Sequence, residues 1–127
     1  MNSFMEQEYS NEFDELRKNR VAVSYYKYGP ARINFKRGYV KALGSMEKCI
    51  KKYKETHNRE YLCDAANYLM FEFMYPSFND AYFLATDSSS SAGIEGISIN
   101  EIEQLKMEDL WLALNAVMIH KLLILLI

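Results

Sequence analysis

Residues 58–76, NREYLCDAANYLMFEFMYP, predict an apolar α-helix around which the rest of the chain is arranged. Apolar side chains recur there at steps of three and four residues, which is the period of one buried helix face. Asp64 and Asn67 lie on the adjacent stripe, and buried polar groups of this kind need hydrogen-bond partners. We expect the buried face to consist of Leu62, Ala65, Ala66, Leu69 and Phe73.

An amphipathic helix is predicted to begin at residue 6, to reach residue 20 and to continue toward Tyr28. Gly29 and Pro30 should end it, because glycine suits a helix C-terminus and proline suits the first turn of the next element. The apolar face of this helix is expected to contain Tyr9, Phe13 and Leu16.

The next helix has apolar residues at alternating four- and three-residue steps and lysines on its other faces. Only residues 54–58 separate it from the central helix, and so short a turn predicts an antiparallel helix hairpin. Its apolar stripe is Tyr39, Leu43, Met46, Ile50 and Tyr53.

The chain changes character after Pro76. Residues 77–97 lack a sustained period and include four consecutive serines, which predicts a long Ser-rich loop. Ser98 and Glu101 fit a capping box that starts a final helix at 99–126. The sequence therefore predicts one all-α domain, residues 1–127: a small helical bundle built on the central hairpin, with the loop before the C-terminal helix.

The final helix is strongly apolar from residue 110 onward. The run approaches the length of a membrane span, but Asn115, His120 and Lys121 interrupt it. Since exposed apolar surface of this size causes association, we expect the run to be buried in the domain or in a homo-oligomer rather than to cross a membrane.

Composition favours a cytoplasmic protein with reduced thiols. The 127 residues are 50% hydrophobic, enough to form a core. Cys49 and Cys63 lie in predicted helices without Cys-x-x-Cys spacing, and with His57 and His120 they show no zinc-ligand spacing. The N-terminus is polar and acidic, unlike a secretory signal.

Charge is unevenly distributed along the chain. Residues 1–20 hold three basic and five acidic side chains, residues 21–59 hold ten and two, and residues 60–127 hold two and ten. The middle segment therefore carries 10 − 2 = +8 and the last 2 − 10 = −8. This asymmetry either attracts phosphate-bearing partners or pairs parts of the fold or copies of the chain. The total of −2 argues against binding to extended nucleic acid.

Signatures of enzymes are scarce: the sequence has no Gly-rich phosphate loop, no Gly-x-Ser-x-Gly elbow and no His-Glu-x-x-His pair. Tyr28-Gly29 before a helical hairpin, and Asp64-Ala-Ala-Asn67 in its second helix, remotely resemble MazG-like all-α nucleotide pyrophosphohydrolases. That resemblance implies a magnesium site, for which this chain offers Glu47, Glu60 and Asp64 out of the motif's register. We expect no catalytic residue, metal or cofactor, and keep the magnesium-dependent hydrolase as the alternative.

A closer resemblance is to small uncharacterised proteins of Gram-positive phages and prophages. It rests on KYG at 27–29, LGSMEK at 43–48, KYKET at 52–56, DAANY at 64–68, EFMYP at 72–76, ATDS at 85–88 and GISINE at 96–101. The resemblance implies a phage accessory protein in the host cytoplasm, of a class that inhibits host immune effectors or sequesters their nucleotide signals.

The favoured hypothesis is a non-enzymatic binder that engages a host protein with an acidic surface or a phosphate-bearing small molecule. Arginine is suited to phosphate because its planar group donates two hydrogen bonds at once. Asp64 and Asn67 are interpreted as polar anchors, tied either to the loop at 86–88 or to a basic side chain from residues 21–59. The candidate binding residues are Tyr28, Arg32, Asn34, Arg37, Lys41, Asp64, Asn67, Thr86, Asp87 and Ser88.

Overall fold

The computed structural model describes residues 4–87 and 89–126, in which all regular structure is helical. The helices are α1 Met5–Glu8, α2 Asn11–Tyr28, α3 Ala31–Lys36, α4 Ala42–Thr56, α5 Glu60–Met74 and α6 Ile99–Leu126. These residues contain no strand, so the prediction of an all-α protein is confirmed. The chain divides into two compact units, one up to Phe83 and one from Leu84 onward.

The N-terminal helix differs from its prediction, because the chain leaves the helical conformation at Tyr9 and begins again as α2. The Ser10 side chain accepts a hydrogen bond from the Phe13 amide at 3.0 Å, which satisfies one free donor of the first turn of α2. Helix α2 then continues to Tyr28, and Gly29 ends it with a φ of 84° that glycine adopts without strain.

The inward face of α2 is polar rather than apolar. The expected face is wrong, since Tyr9, Phe13 and Leu16 are exposed. Polar contacts attach α2 to α5 instead: an Arg17 Nη1 donates to the Met70 sulfur at 3.5 Å, and the Arg17 carbonyl and Arg20 also bind α5 side chains. The half-buried residues of α2 are Asp14, Arg17, Arg20, Val21 and Ser24.

Helix α5 is the centre of the first unit, where it contacts α4, α2 and α3. Three residues connect α4 to α5, and His57 ends α4 in the left-handed conformation with φ of 61°. Leu69 and Phe73 are exposed, which contradicts their expected burial. Because α5 has neighbours on several sides, its buried arc takes in the polar stripe as well, and the buried residues are Cys63, Ala65, Asn67 and Phe71.

The second unit contains α6. The Ser98 hydroxyl accepts a hydrogen bond from the Glu101 amide at 3.1 Å, as the cap predicted from sequence requires. Among the described residues, α6 is the one helix long and apolar enough to cross a membrane by length and composition. Its large apolar side chains from Leu110 to Leu126 are all exposed.

Candidate functional site

A groove of about 370 Å³ lies in the first unit, between α2, α3 and α5. Sites for small molecules have volumes of about 300–1,000 Å³, so the groove is large enough for one. Gly29 and Ala31, at the break between α2 and α3, are among its lining residues. The groove therefore includes the break between these two helices.

Aromatic rings form much of the groove wall. Phe35 of α3 stacks on Phe71 of α5, with ring centroids 4.7 Å apart and planes 19° apart. Phe35 also meets the edge of Tyr68 at 6.1 Å. Burial raises the pKa of the Tyr68 phenol, so this hydroxyl is protonated at neutral pH and is a hydrogen-bond donor. Tyr25 and Tyr28 supply further ring surface from α2.

An ion pair with two hydrogen bonds joins Arg20 to Asp64 at the groove. Arg20 Nε donates to Asp64 Oδ1 at 3.0 Å, and Nη2 donates to Oδ2 at 3.1 Å. The third guanidinium nitrogen, Nη1, lies 2.8 Å from Glu60 Oε1. Hydrogen bonding to Asp64 raises the pKa of Arg20. All three nitrogens of the guanidinium are thus held by carboxylates of α5.

Asn67 has one satisfied and one unsatisfied side-chain atom. Its Nδ2 donates to the Arg17 carbonyl at 2.9 Å, and a carbonyl accepts only, which fixes the orientation of the amide. The side chain is 5% exposed and borders the groove. Its Oδ1 is buried and has no hydrogen-bond partner among the described residues. An unpaired buried acceptor is costly, and because this atom has almost no accessible surface, a ligand or water would reach it only after neighbouring side chains move.

Arg20 is the basic residue of the groove lining, and three other basic residues are next to lining residues in sequence. The Lys27 ammonium is 4.9 Å from the centre of the Tyr28 ring, a cation–π contact at the groove wall. Arg32 follows Ala31 in sequence and Lys41 follows Val40, and both of those neighbours line the groove. Of these three cations, Lys27 has a described contact with the groove wall, whereas Arg32 and Lys41 are exposed outside the lining.

Four of the ten sequence-predicted site residues line this groove: Tyr28, Asn34, Asp64 and Asn67. Asn34 is held in place by a 3.0 Å hydrogen bond from its Nδ2 to the Tyr28 carbonyl. The structure thereby brings together the pair Tyr28 and Asn34 and the pair Asp64 and Asn67, which are at least 30 positions apart in sequence.

Five of the other six predicted residues lie elsewhere, and the sixth is not described. Arg32, Arg37 and Lys41 are exposed and outside the groove lining. Thr86 and Asp87 belong to the second unit, and Ser88 lies outside the described residues.

Asp87 has a local structural role. Its Oδ1 accepts hydrogen bonds from the Ser89 hydroxyl and from the amides of Ser89 and Ser90, at 2.7 to 3.1 Å. The Ser89 hydroxyl is the main cause of a lowered Asp87 pKa. Its contacts are therefore those of a turn.

Sequence reasoning missed Arg20, which anchors Asp64 in place of the expected loop at 86–88 or a cation from residues 21–59. It also missed Tyr25, Phe35 and Tyr68 as groove walls. One signal was available for Arg20: a carboxylate in an apolar helix needs a cation, and Arg20 lies within the predicted amphipathic helix.

The carboxylates proposed for magnesium do not form a metal site. Glu60 and Asp64 both bind Arg20, so a cation would have to displace a guanidinium from them. Within residues 4–87 and 89–126, no three His, Cys, Asp or Glu side chains cluster as metal ligands. Glu47 is exposed on α4. The geometry gives the hydrolase alternative no support in the described part of the chain.

Comparison of the chain with family models, with curated proteins and with solved structures found no match. A functional assignment therefore depends on the groove itself.

Proposed function

We propose that this chain is a non-enzymatic binding protein whose groove takes a small, phosphate-bearing ligand with a planar ring, such as a nucleotide signal. The observation that carries the proposal is the aromatic wall of the groove beside the buried, unpaired Asn67 Oδ1. A planar ring gains contact area against Tyr25, Tyr28 and Phe35. A ring with an N–H group would also supply the donor that Asn67 Oδ1 lacks, provided that binding moves the side chains covering this atom.

The charges support binding rather than catalysis. Arg20, Asp64 and Glu60 satisfy one another, which leaves none of them available as a free base, acid or metal ligand. Lys27 at the groove wall and the exposed cations Arg32, Arg37 and Lys41 of the positively charged segment remain to attract phosphate. The expected chemistry is therefore recognition of a ring in the groove and of a phosphate at its rim.

The resemblance to phage and prophage accessory proteins gives this proposal its setting, which is the cytoplasm of a host cell. There the protein would counter immunity by sequestering a nucleotide signal or by binding an immune effector.

In this proposal α4 and α5 act as a central antiparallel hairpin that supports the groove, and residues 77–97 act as a Ser-rich loop. Protein purified from infected cells and analysed by native mass spectrometry would identify a retained ligand or a captured effector.

Tyr28→Ala is expected to weaken nucleotide binding about tenfold, because the loss of one stacking ring costs about 1–3 kcal/mol. Tyr28 is 64% exposed, so the unfolding temperature should stay within about 2 °C of the unmodified protein. Calorimetric titration with AMP, cyclic AMP and cyclic di-AMP gives the affinities. Tyr39→Ala is the matched control, since Tyr39 is 67% exposed and outside the groove lining. Equal losses in both variants would remove the groove from the proposal.

Arg37→Glu combined with Lys41→Glu is expected to abolish nucleotide binding while leaving the melting temperature unchanged. Both side chains are exposed on the positively charged segment, and reversing two charges changes the local charge by four units. The titration is repeated with adenosine, which has no phosphate. The double variant should bind adenosine like the unmodified protein, and unchanged affinity for AMP would eliminate the role of the basic surface.

A further inference from the structure

The apolar half of α6, residues 110–126, is uncovered in the second unit. Every large apolar side chain from Leu110 to Leu126 is more than half exposed. Continuous apolar surface of this extent associates with another apolar phase or with protein. The distribution of apolar side chains around the helix axis distinguishes these two kinds of partner.

The apolar half has no polar side. Successive residues of an α-helix are about 100° apart around the axis, which places Asn115, His120 and Lys121 about 100–140° from one another. Leucine, isoleucine, valine and methionine occupy the directions between them. A single partner helix or one protein face covers one stripe of a helix and leaves the opposite side in water. A bilayer surrounds a helix on all sides.

Two of the three polar residues in this half, Asn115 and Lys121, are compatible with lipid. The Asn115 Nδ2 donates to the Trp111 carbonyl at 3.0 Å, so this donor is satisfied within the helix. Lys121 is five residues before Leu126, about 7.5 Å along the axis, and its flexible stem extends toward the nearer headgroups. Trp111 lies near the start of the apolar half, where the helix changes from polar to apolar and where an interfacial aromatic ring is favoured.

We propose that residues 110–126 of α6 insert into a lipid bilayer and attach the chain to a membrane. The segment is about 25 Å long, and a bilayer core of about 30 Å adapts to such a difference by local thinning. This inference is independent of the groove. It differs from the sequence-based expectation that burial in the domain or in a homo-oligomer covers this helix, because a single partner helix or one protein face leaves part of its circumference in water.

The test uses the full chain with vesicles of phosphatidylcholine, separated by flotation. Three variants place one charge on three sides of α6 at the same depth: Val117→Asp, Met118→Asp and Ile119→Asp. Since a charge near the centre of the bilayer opposes insertion strongly, each is expected to lower the vesicle partition coefficient about 100-fold. Gln104→Asp, in the polar half of the same helix, is the matched control and should float like the unmodified protein.

The expected result is flotation of the unmodified protein and of the control, with loss in all three variants. An unmodified protein that stays in the aqueous fraction would overturn the inference. If only one or two of the three variants lose flotation, the inference would also be overturned. That result would indicate a partner that covers one side of the helix, such as a second copy of the chain. Size-exclusion chromatography of the same variants without lipid identifies that second copy.

Discussion

Phe71→Ala is expected to lower the free energy of unfolding of the first unit by about 3–5 kcal/mol, the usual cost of deleting a buried aromatic side chain. Phe71 is 8% exposed and stacks on Phe35 at 4.7 Å. The other buried apolar residues of the described core are small: Ala42, Cys63 and Ala65. Since whole domains are stable by about 5–15 kcal/mol, this one ring accounts for a large share of the total.

Urea unfolding followed by tyrosine fluorescence measures this loss for the first unit, because the only tryptophan, Trp111, lies in the second unit. Phe73→Ala is the matched control: the same change, two positions along the same helix, at a side chain 73% exposed. Its cost should be below about 1 kcal/mol. A larger loss for Phe73→Ala than for Phe71→Ala would mean that α5 is packed on the opposite face from that described.

This pair of residues indicates how far the sequence determines the fold. The apolar period was enough to predict that α5 is a helix, because this period is a property of helical structure. The same apolar stretch was also predicted to be the centre of the fold. The period selected Phe73 over Phe71, since it treats every apolar residue as a candidate for one narrow stripe. With contacts to α2, α3 and α4, the buried arc of α5 is broad and includes Asn67. Which neighbours a helix has is a tertiary property that one period does not contain.

Helix α2 illustrates a second limit. Its apolar residues Phe13 and Leu16 are exposed, whereas Arg17 and Arg20 face α5. A hydrophobic pattern locates an interface only where burial of apolar surface holds the two elements together. Here hydrogen bonds and an ion pair contribute the contacts, and their partners lie 44 to 53 residues away in sequence. Side-chain partners at that separation are not visible in local spacing.

Only part of the candidate site could be predicted from sequence, because local spacing does not show which distant residues come together. Asp64 and Asn67 were identifiable as polar residues in an apolar helix, and Tyr28 and Asn34 were predicted as binding residues beside the basic surface. The groove walls contributed by Phe35 and Tyr68 were not, since an aromatic residue in an amphipathic helix predicts core as readily as it predicts a ligand contact. Only the packing of α3 on α5 distinguishes the two.

Asp64→Ala is expected to destabilise the first unit by about 2 kcal/mol, between the cost for exposed ion pairs, about 0–1 kcal/mol, and that for buried ones, about 3–5 kcal/mol. The side chains of Arg20 and Asp64 are 38% and 23% exposed, which places the pair between these limits. Stability is lost because Arg20 would remain charged and partly removed from water without the carboxylate that accepts two of its hydrogen bonds. Glu60→Ala removes a carboxylate that is 51% exposed and should cost less than about 1 kcal/mol.

A double-mutant cycle separates the pair from the packing of each side chain. Arg20→Ala and Asp64→Ala are measured singly and together by urea unfolding. Because removal of both partners leaves no uncompensated charge, the double variant is expected to lose about 1–2 kcal/mol less than the sum of the single losses. Strictly additive losses would mean that the two groups do not interact in solution. The groove would then lose its ordered polar wall, since the position of Asp64 there depends on the two hydrogen bonds from Arg20.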